Sequence, residues 1–276
     1  MSFHNHLDPI AFAIGPLTIH WYGIAFAAAF VLGESIVRVM LEREGRSGID
    51  SGSLVLYAIV GTVLGARIMH CAFYDPQFYL THPWKVFAVW EGGLASHGGV
   101  IGLVIALIVA TRNMAPKTWI LLLDRITIPA AIGGAIVRVA NCGNSEILGL
   151  PTGGPFGVIF DAVDQIPRHP VQLYEAAAYL ALGALLFCLY ARTAARDTPG
   201  RLTGVFLLGV FSARLLLESF KVPQAAYEAG MLVSVGQMLS VPFLGIGLLL
   251  VWRKSGWFPD VAGTGKPRSI LPKPLQ

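Results

Sequence analysis

Residues 171–191 read Val171-Gln-Leu-Tyr-Glu-Ala-Ala-Ala-Tyr-Leu-Ala-Leu-Gly-Ala-Leu-Leu-Phe-Cys-Leu-Tyr-Ala191, and Glu175 is the one charge among them. A helix rising about 1.5 Å per residue needs about 20 mostly apolar residues to cross the hydrocarbon of a bilayer. This run supplies them. Six others resemble it, at roughly Leu17–Leu41, Ser53–Tyr74, His97–Thr111, Trp119–Val137, Leu202–Phe220 and Leu232–Trp252. The third of the seven in chain order is short, and lengthens if it begins at Glu91 and passes through Gly92, Gly93, Gly98 and Gly99. Composition agrees with the runs. Hydrophobic residues make up 55% of the chain and charged ones 13%, where a soluble domain carries roughly 25% charged. Mean hydropathy is +0.64. The expected fold is an all-α integral membrane protein, a bundle of about seven transmembrane helices with outer loops forming a small head. Residues 1–256 are expected to be a single polytopic domain, and the Pro/Gly-rich basic tail 257–276 to be disordered in the cytoplasm.

Charge sets the expected orientation. Loops that would share one face carry thirteen Lys and Arg, against four (Lys85, Arg138, Arg168 and Lys221) on the other. Positive loops stay in the cytoplasm, so the N-terminus is expected outside and the C-terminus inside. Arg67, Arg125 and Arg214 fall within or at the edge of the runs. The segment 1–16 holds no Lys or Arg, and the first run is too long for a signal-peptide core, so it is read as a retained span. The net charge of +4 is mild and spread over loops, which excludes a nucleic-acid partner. Cys71, Cys142 and Cys188 lie far apart, so neither a disulfide framework nor a metal motif is expected.

Polar groups inside a bilayer are costly and mark function or a partner. Four places carry them. His97 stands among Gly98, Gly99 and Gly102 at the mouth of a run, where it can exchange a proton near neutrality or simply cap a helix. Arg138-Val-Ala-Asn141-Cys-Gly-Asn144-Ser-Glu146-Ile-Leu-Gly149 follows the fourth run at headgroup depth. Arginine suits phosphate because its planar fork donates two parallel hydrogen bonds. Arg168-His-Pro170-Val-Gln172-Leu-Tyr174-Glu175 opens the fifth run, where helix-start chemistry alone explains Pro170 and Glu175. Arg214 and Glu218 are four apart, on one face of a helix. Tyr22 and Arg67 are weaker candidates.

Taken in order, these motifs resemble the prolipoprotein diacylglyceryl transferases of bacterial inner membranes, from His20-Trp-Tyr22-Gly to Ser234-Val-Gly-Gln-Met-Leu-Ser-Val-Pro242. The resemblance implies transfer of the diacylglyceryl group of phosphatidylglycerol to a cysteine thiol. That cysteine lies in the lipobox after a prolipoprotein signal peptide, and glycerol phosphate leaves. A base near neutrality would make the thiolate, and His97 is the first choice for it, with Arg138 and Arg214 as phosphate clamps, as the family pattern also suggests, and Tyr22, which matches a functional tyrosine of the family, as a further catalytic group. Asn141, Asn144, Glu146, Gly149, Gly98, Gly99, Gln172 and Tyr174 are the expected substrate-binding set, with Glu218 holding Arg214. Membrane lipids are the expected surroundings. No cofactor or metal is expected, because no His, Asp and Glu show ligand spacing. The chain departs from the family's frequent glycines at Val137, Ala140 and Ser145, which bears on the backbone path of the loop. A transporter with a midplane site would use the same intramembrane charges, but the motifs gather toward the outer face. A non-catalytic lipid-binding protein would be indifferent to replacement of His97. A metal-dependent lipid transferase needs clustered aspartates, and only Asp161 and Asp164 approach that.

Overall fold

The computed structural model describes residues 2–15, 17–46, 48–89, 93, 95–115, 118–154, 156–222 and 234–252. Hydrocarbon offers no hydrogen-bond partner to the backbone, so the apolar runs close their own bonds as helices. They become α1 (Trp21–Arg43), α2 (Ser51–Phe73), α4 (Ser96–Ala110), α5 (Thr118–Gly143), α6 (Val171–Arg192), α7 (Arg201–Leu217) and α8 (Val235–Trp252), with a short α3 (Pro76–Thr81) between the second and third. Five stretches, Trp21–Arg43, Ser51–Phe73, Thr118–Gly143, Val171–Arg192 and Arg201–Phe220, are long and apolar enough to cross a membrane. The apolar helices His97–Ala110 and Gly236–Trp252 are shorter. The 15 residues of α4 reach about 22 Å, short of the roughly 30 Å of a hydrocarbon core. Large apolar side chains such as Leu56, Leu64, Ile68, Leu180, Phe187 and Leu249 face outward. Such a surface suits lipid and would be a liability in water. The protein is an all-α membrane protein with several spans.

The boundaries differ from the expected ones in instructive ways. Leu17–His20 is not the start of the first helix. It forms strand β3, antiparallel to β2 (Ile10–Ile14) across a turn with Gly15 at φ 58°. The alternation Ile10, Phe12, Ile14 is the strand period that the longer apolar run obscured. A second two-stranded sheet pairs β1 (Ser2–Asn5) in parallel with β4 (Gly157–Phe160). Helix α5 continues six residues past Val137, the expected end, so Arg138 and Asn141 lie on the helix and not in a loop. Glu91, Gly92 and the tail after Trp257 lie outside the described residues, as does Leu232, the expected start of the last run.

The described residues fall into two compact units. One takes in those of Val37–Leu123. Its centre is the pairing of α2 with α4, which glycines bring into backbone contact. A Cβ on Gly102 would stand 2.9 Å from the Gly65 Cα and would collide with the Gly61 carbonyl. Gly98 likewise abuts the Gly65 carbonyl, and Gly99 faces Thr62. The close approach that Gly98 and Gly99 permit is therefore helix to helix, the small-residue packing expected in lipid. Arg67, 3% exposed, is a clamp for the following loop. Its Nε donates to the Val86 carbonyl at 2.9 Å and its Nη1 to that of Gly93 at 3.2 Å, and its cation lies over the Tyr79 ring. Gly102→Val is expected to cost about 3 kcal/mol, since the helices must part, read as a lowered thermal midpoint in detergent. An unchanged midpoint would contradict this packing.

The other unit takes in the described residues of Met1–Ile36 and Asp124–Trp257. Here Ala135, Ala176 and Tyr179 form a buried cluster with Val210 and Ala213 packed on it, joining α5, α6 and α7. Asp124, fully buried, accepts from the backbone N–H of Gly200 at 2.6 Å and of Thr203 at 2.8 Å. It thereby satisfies the N–H groups that open α7. Phe211 and Phe243 stack at 4.4 Å between α7 and α8.

Candidate active site

The last turns of α5 and the first of α6 meet in the second of these units. Arg138 projects from α5, and its Nε lies 2.9 Å from Oε2 of Glu175, which is wholly buried on α6. That oxygen accepts no directed hydrogen bond, so the contact is ionic. Its partner oxygen, Oε1, accepts from the Lys221 ammonium at 2.9 Å, and Lys221 also donates to Glu218 at 3.0 Å. The carboxylate thus holds two cations in a low-dielectric setting where unpaired charge is prohibitive. Glu175 is not the helix-start residue that its position suggested. The dipole explanation fails because its charge is committed to Arg138 and Lys221.

A second layer builds on the first. Asn141, 5% exposed, donates from Nδ2 to Glu146 Oε2 at 2.8 Å, and Asn144 donates to the other Glu146 oxygen at 3.3 Å. Gln172, fully buried, donates to the Glu146 carbonyl at 2.6 Å. Arg138 Nη1 reaches Asn141 Oδ1 at 3.5 Å, the limit of a hydrogen bond. Five of the expected residues, Arg138, Asn141, Asn144, Glu146 and Gln172, therefore form one connected group. Tyr179, buried on α6 beside Ala135 and Ala176, is a residue that sequence reasoning passed over. Lys221 was missed as well, counted only as a loop charge. The signal that could have found both is a charge or hydroxyl that must be paired once it enters an apolar core.

Other expectations are revised. Glu218 does not pair with Arg214. Helix α7 gives way after Leu217 to a tight turn, Glu218–Phe220, and the Glu218 carboxylate goes to Lys221. Both side chains nonetheless converge on Gly236 of α8. A Cβ there would lie 2.6 Å from Glu218 Oε1 and 3.3 Å from Arg214 Nη2. Among the described residues, the buried Arg214 Nε finds no hydrogen-bond partner, nor do Asn144 Oδ1 and Gln172 Oε1. Gly149 is packed against its own chain. A Cβ there would stand 2.8 Å from Val171 Cγ2 and 2.9 Å from His169 Cβ, and it would collide with the His169 carbonyl. Tyr174 is partly exposed, with its hydroxyl 3.3 Å from His169 Nδ1. Tyr22 stands in the first turn of α1, stacked on Phe26. His97, half-buried in the first turn of α4, belongs to the other compact unit.

The loop that follows α5 is held by ion pairs. Arg168 donates to Asp164 and to the Gly149 carbonyl. The Arg168 hydrogen bond holds the Asp164 carboxyl below the ordinary carboxylate range and raises Arg168 in turn. Asp161 is held low in the same way, chiefly by a hydrogen bond from His4. The sequence offered no metal-ligand spacing, yet in space His4, His6 and Asp161 come together. The missing signal is one of distance along the chain, since 157 positions separate His4 from Asp161.

Two residues flanking Glu146 adopt left-handed backbone, Ser145 at φ 56° and Ile147 at φ 55°. Ser145 stands where the resemblance led glycine to be expected, and the conformation suits glycine: without a Cβ it costs nothing. Serine bears about 1–2 kcal/mol there, offset in part by a hydrogen bond from Asn5 to its hydroxyl at 3.2 Å. Ser145→Gly is expected to stay within about 1 kcal/mol of wild type. Ser145→Val is expected to cost about 2 kcal/mol, because a β-branched residue resists this backbone and loses the hydroxyl. Equal thermal midpoints for the two variants would refute this reading.

Comparison with known proteins covers the stretch of chain that holds these residues. A sequence model of prolipoprotein diacylglyceryl transferase matches residues 9–253. A phosphatidylglycerol–prolipoprotein diacylglyceryl transferase of Tolumonas auensis is 48% identical over 251 residues, covering 91% of this chain and 96% of that one. The protein of the same name from Chloroherpeton thalassium is 44% identical, with 90% and 92% covered. That of Porphyromonas gingivalis is 42% identical, with 89% and 92% covered. A match of this extent, carried across the buried group around Glu175, leaves one assignment: the chain belongs to the prolipoprotein diacylglyceryl transferase family.

Proposed function

We propose that this protein transfers the diacylglyceryl group of phosphatidylglycerol to the lipobox cysteine of a prolipoprotein, at the inner membrane of a bacterium. The observation that carries the reading, beside family membership, is the arginine of α5 fixed by a fully buried carboxylate. The substrate sulfur attacks the glycerol carbon that bears the phosphate ester. A carbon–sulfur bond forms, the carbon–oxygen bond breaks, and glycerol phosphate leaves with the electron pair. The thiol proton goes to a base, and His97 takes that role. Arg138 and Arg214 meet the charge that develops on the departing phosphate. Asn141, Asn144, Glu146 and Gln172 orient the glycerol headgroup, with Tyr174 and Glu218 at its margin. Tyr22 donates a hydrogen bond to substrate, while Gly98 and Gly99 in one unit and Gly149 in the other let each stretch of chain pack closely on its own neighbours.

The Lys and Arg bias favours a periplasmic N-terminus and a cytoplasmic C-terminus. Residues 1–256 are taken as one polytopic domain; 257–276, read from sequence as a tail, lie outside the described residues. The test is a transfer assay in liposomes with phosphatidylglycerol and a lipobox peptide, reading peptide mass and released glycerol phosphate. A diacylglyceryl mass gain with wild type, lost with His97→Ala, is expected. A gain that survives in His97→Ala would remove histidine as the base and keep the reaction. No gain from folded wild type would overturn the reaction itself.

A further inference from the structure

We propose that His4, His6 and Asp161 form a site for one divalent transition-metal ion of the zinc class, which ties the N-terminal strand to the segment after β4. The geometry begins with the parallel ladder, in which His4 lies opposite Ile159 and Asn5 opposite Phe160. Asp161 follows β4 directly. Residues two apart on an extended chain share a face, so His4 and His6 point the same way while Asn5 points the other. Their rings stack at 5.4 Å, 8° from parallel. Both Nδ1 atoms face one carboxylate, His4 at 3.1 Å from Oδ1 and His6 at 2.5 Å from Oδ2. All three donor atoms lie within 4.8 Å of one another. Donors around a tetrahedral ion at about 2.0–2.1 Å stand about 3.3 Å apart, so little movement separates this arrangement from a coordination shell.

Hydrogen bonding accounts for His4, whereas His6 meets the carboxylate only as an ion-pair contact. Asp161 Oδ2 accepts no hydrogen bond, although His6 Nδ1 is 2.5 Å away. A cation shared between them would set the two donors about 3.3 Å apart and relieve that close contact. Two imidazoles and one carboxylate select zinc, nickel or copper over calcium and magnesium, which take oxygen shells. Three protein ligands leave a fourth position for water. His4 and His6 side chains are 42% and 73% exposed, so the ion would exchange with the medium.

The ion would act through Asn5. Its side-chain amide donates to the carbonyls of Cys142 and Gly143 at 2.9 and 3.4 Å and to the Ser145 hydroxyl. It therefore joins β1 to the end of α5 and to the strained turn that leads to Glu146. Fixing β1 at His4 and His6 braces that turn.

The experiment titrates zinc alone into tag-free, chelator-stripped full-length protein in detergent, against a competing chromophoric chelator, with the thermal midpoint followed in parallel. One equivalent bound per chain and a raised midpoint are expected. His4→Ala and His6→Ala, at exposed positions, are each expected to weaken binding by more than the roughly 10–100-fold that an outer-shell partner is worth. His82→Ala is expected to bind as wild type does. The proposal is overturned if wild type shows no saturable binding, if magnesium binds as tightly as zinc, or if the His4 and His6 variants both keep the wild-type affinity.

Discussion

Arg138→Ala abolishes diacylglyceryl transfer, by at least about 100-fold in kcat/KM, while the protein still enters the membrane: that is the expected result with the largest effect on activity. The argument is geometric. Arg138 is anchored from behind at Nε by Glu175, 2.9 Å away, and its side chain keeps 21% of its surface exposed. An arginine fixed at Nε presents its two terminal nitrogens without losing side-chain entropy at each turnover, which suits the planar recognition of a phosphate. Lysine cannot reproduce that fork. Arg138→Lys retains a charge beside Glu175 and should preserve stability, yet it should lose most of the transfer rate. Membrane fractionation and protease protection check insertion, and the liposome assay checks transfer. Near-normal transfer by Arg138→Ala would remove this residue from the reaction.

The seven apolar runs were readable because a membrane helix announces itself over about 20 residues, and each run holds a helix among the described residues. Sequence also singled out Arg138, Asn141, Asn144, Glu146 and Gln172 as candidates, since polar groups packed into so apolar a chain stand out, and the structure joins them by hydrogen bonds. It could not show what they touch. Lys221 meets Glu175 across 46 positions, and no local pattern records such a pair. The helix end at Gly143 was hidden for a related reason. A run of polar residues reads as a loop until a buried carboxylate is known to receive the arginine, after which continuing the helix costs nothing. The first helix start was hidden by hydrophobicity, for Leu17 and Ile19 run straight into the apolar helix they precede. Glycine was legible in kind but not in object. The spacing around Gly98 and Gly99 called for close approach, and helix α2 supplies the approaching chain.

Glu175 carries the other large expected effect, on stability. It is fully buried and compensates Arg138 and Lys221 together. Removing one partner of a buried pair leaves the other charge stranded, at about 3–5 kcal/mol. Glu175→Ala should therefore lower the thermal midpoint in detergent more than any single change at an exposed site, and should stop transfer because Arg138 loses its anchor. Glu175→Gln keeps the shape and removes the charge, which isolates the electrostatic part. Lys221 retains Glu218 at 3.0 Å in that variant, so Arg138 bears most of the loss. The decisive comparison is a cycle with Lys221→Met. If Glu175 and Lys221 form one ionic unit, the double variant is more stable than the sum of the two single losses predicts, by about 1–3 kcal/mol. Transfer stays low all the same, since restoring charge balance does not re-anchor the arginine. Additive losses in the cycle would mean that Lys221 answers to Glu218 alone, and that the buried carboxylate exists for Arg138.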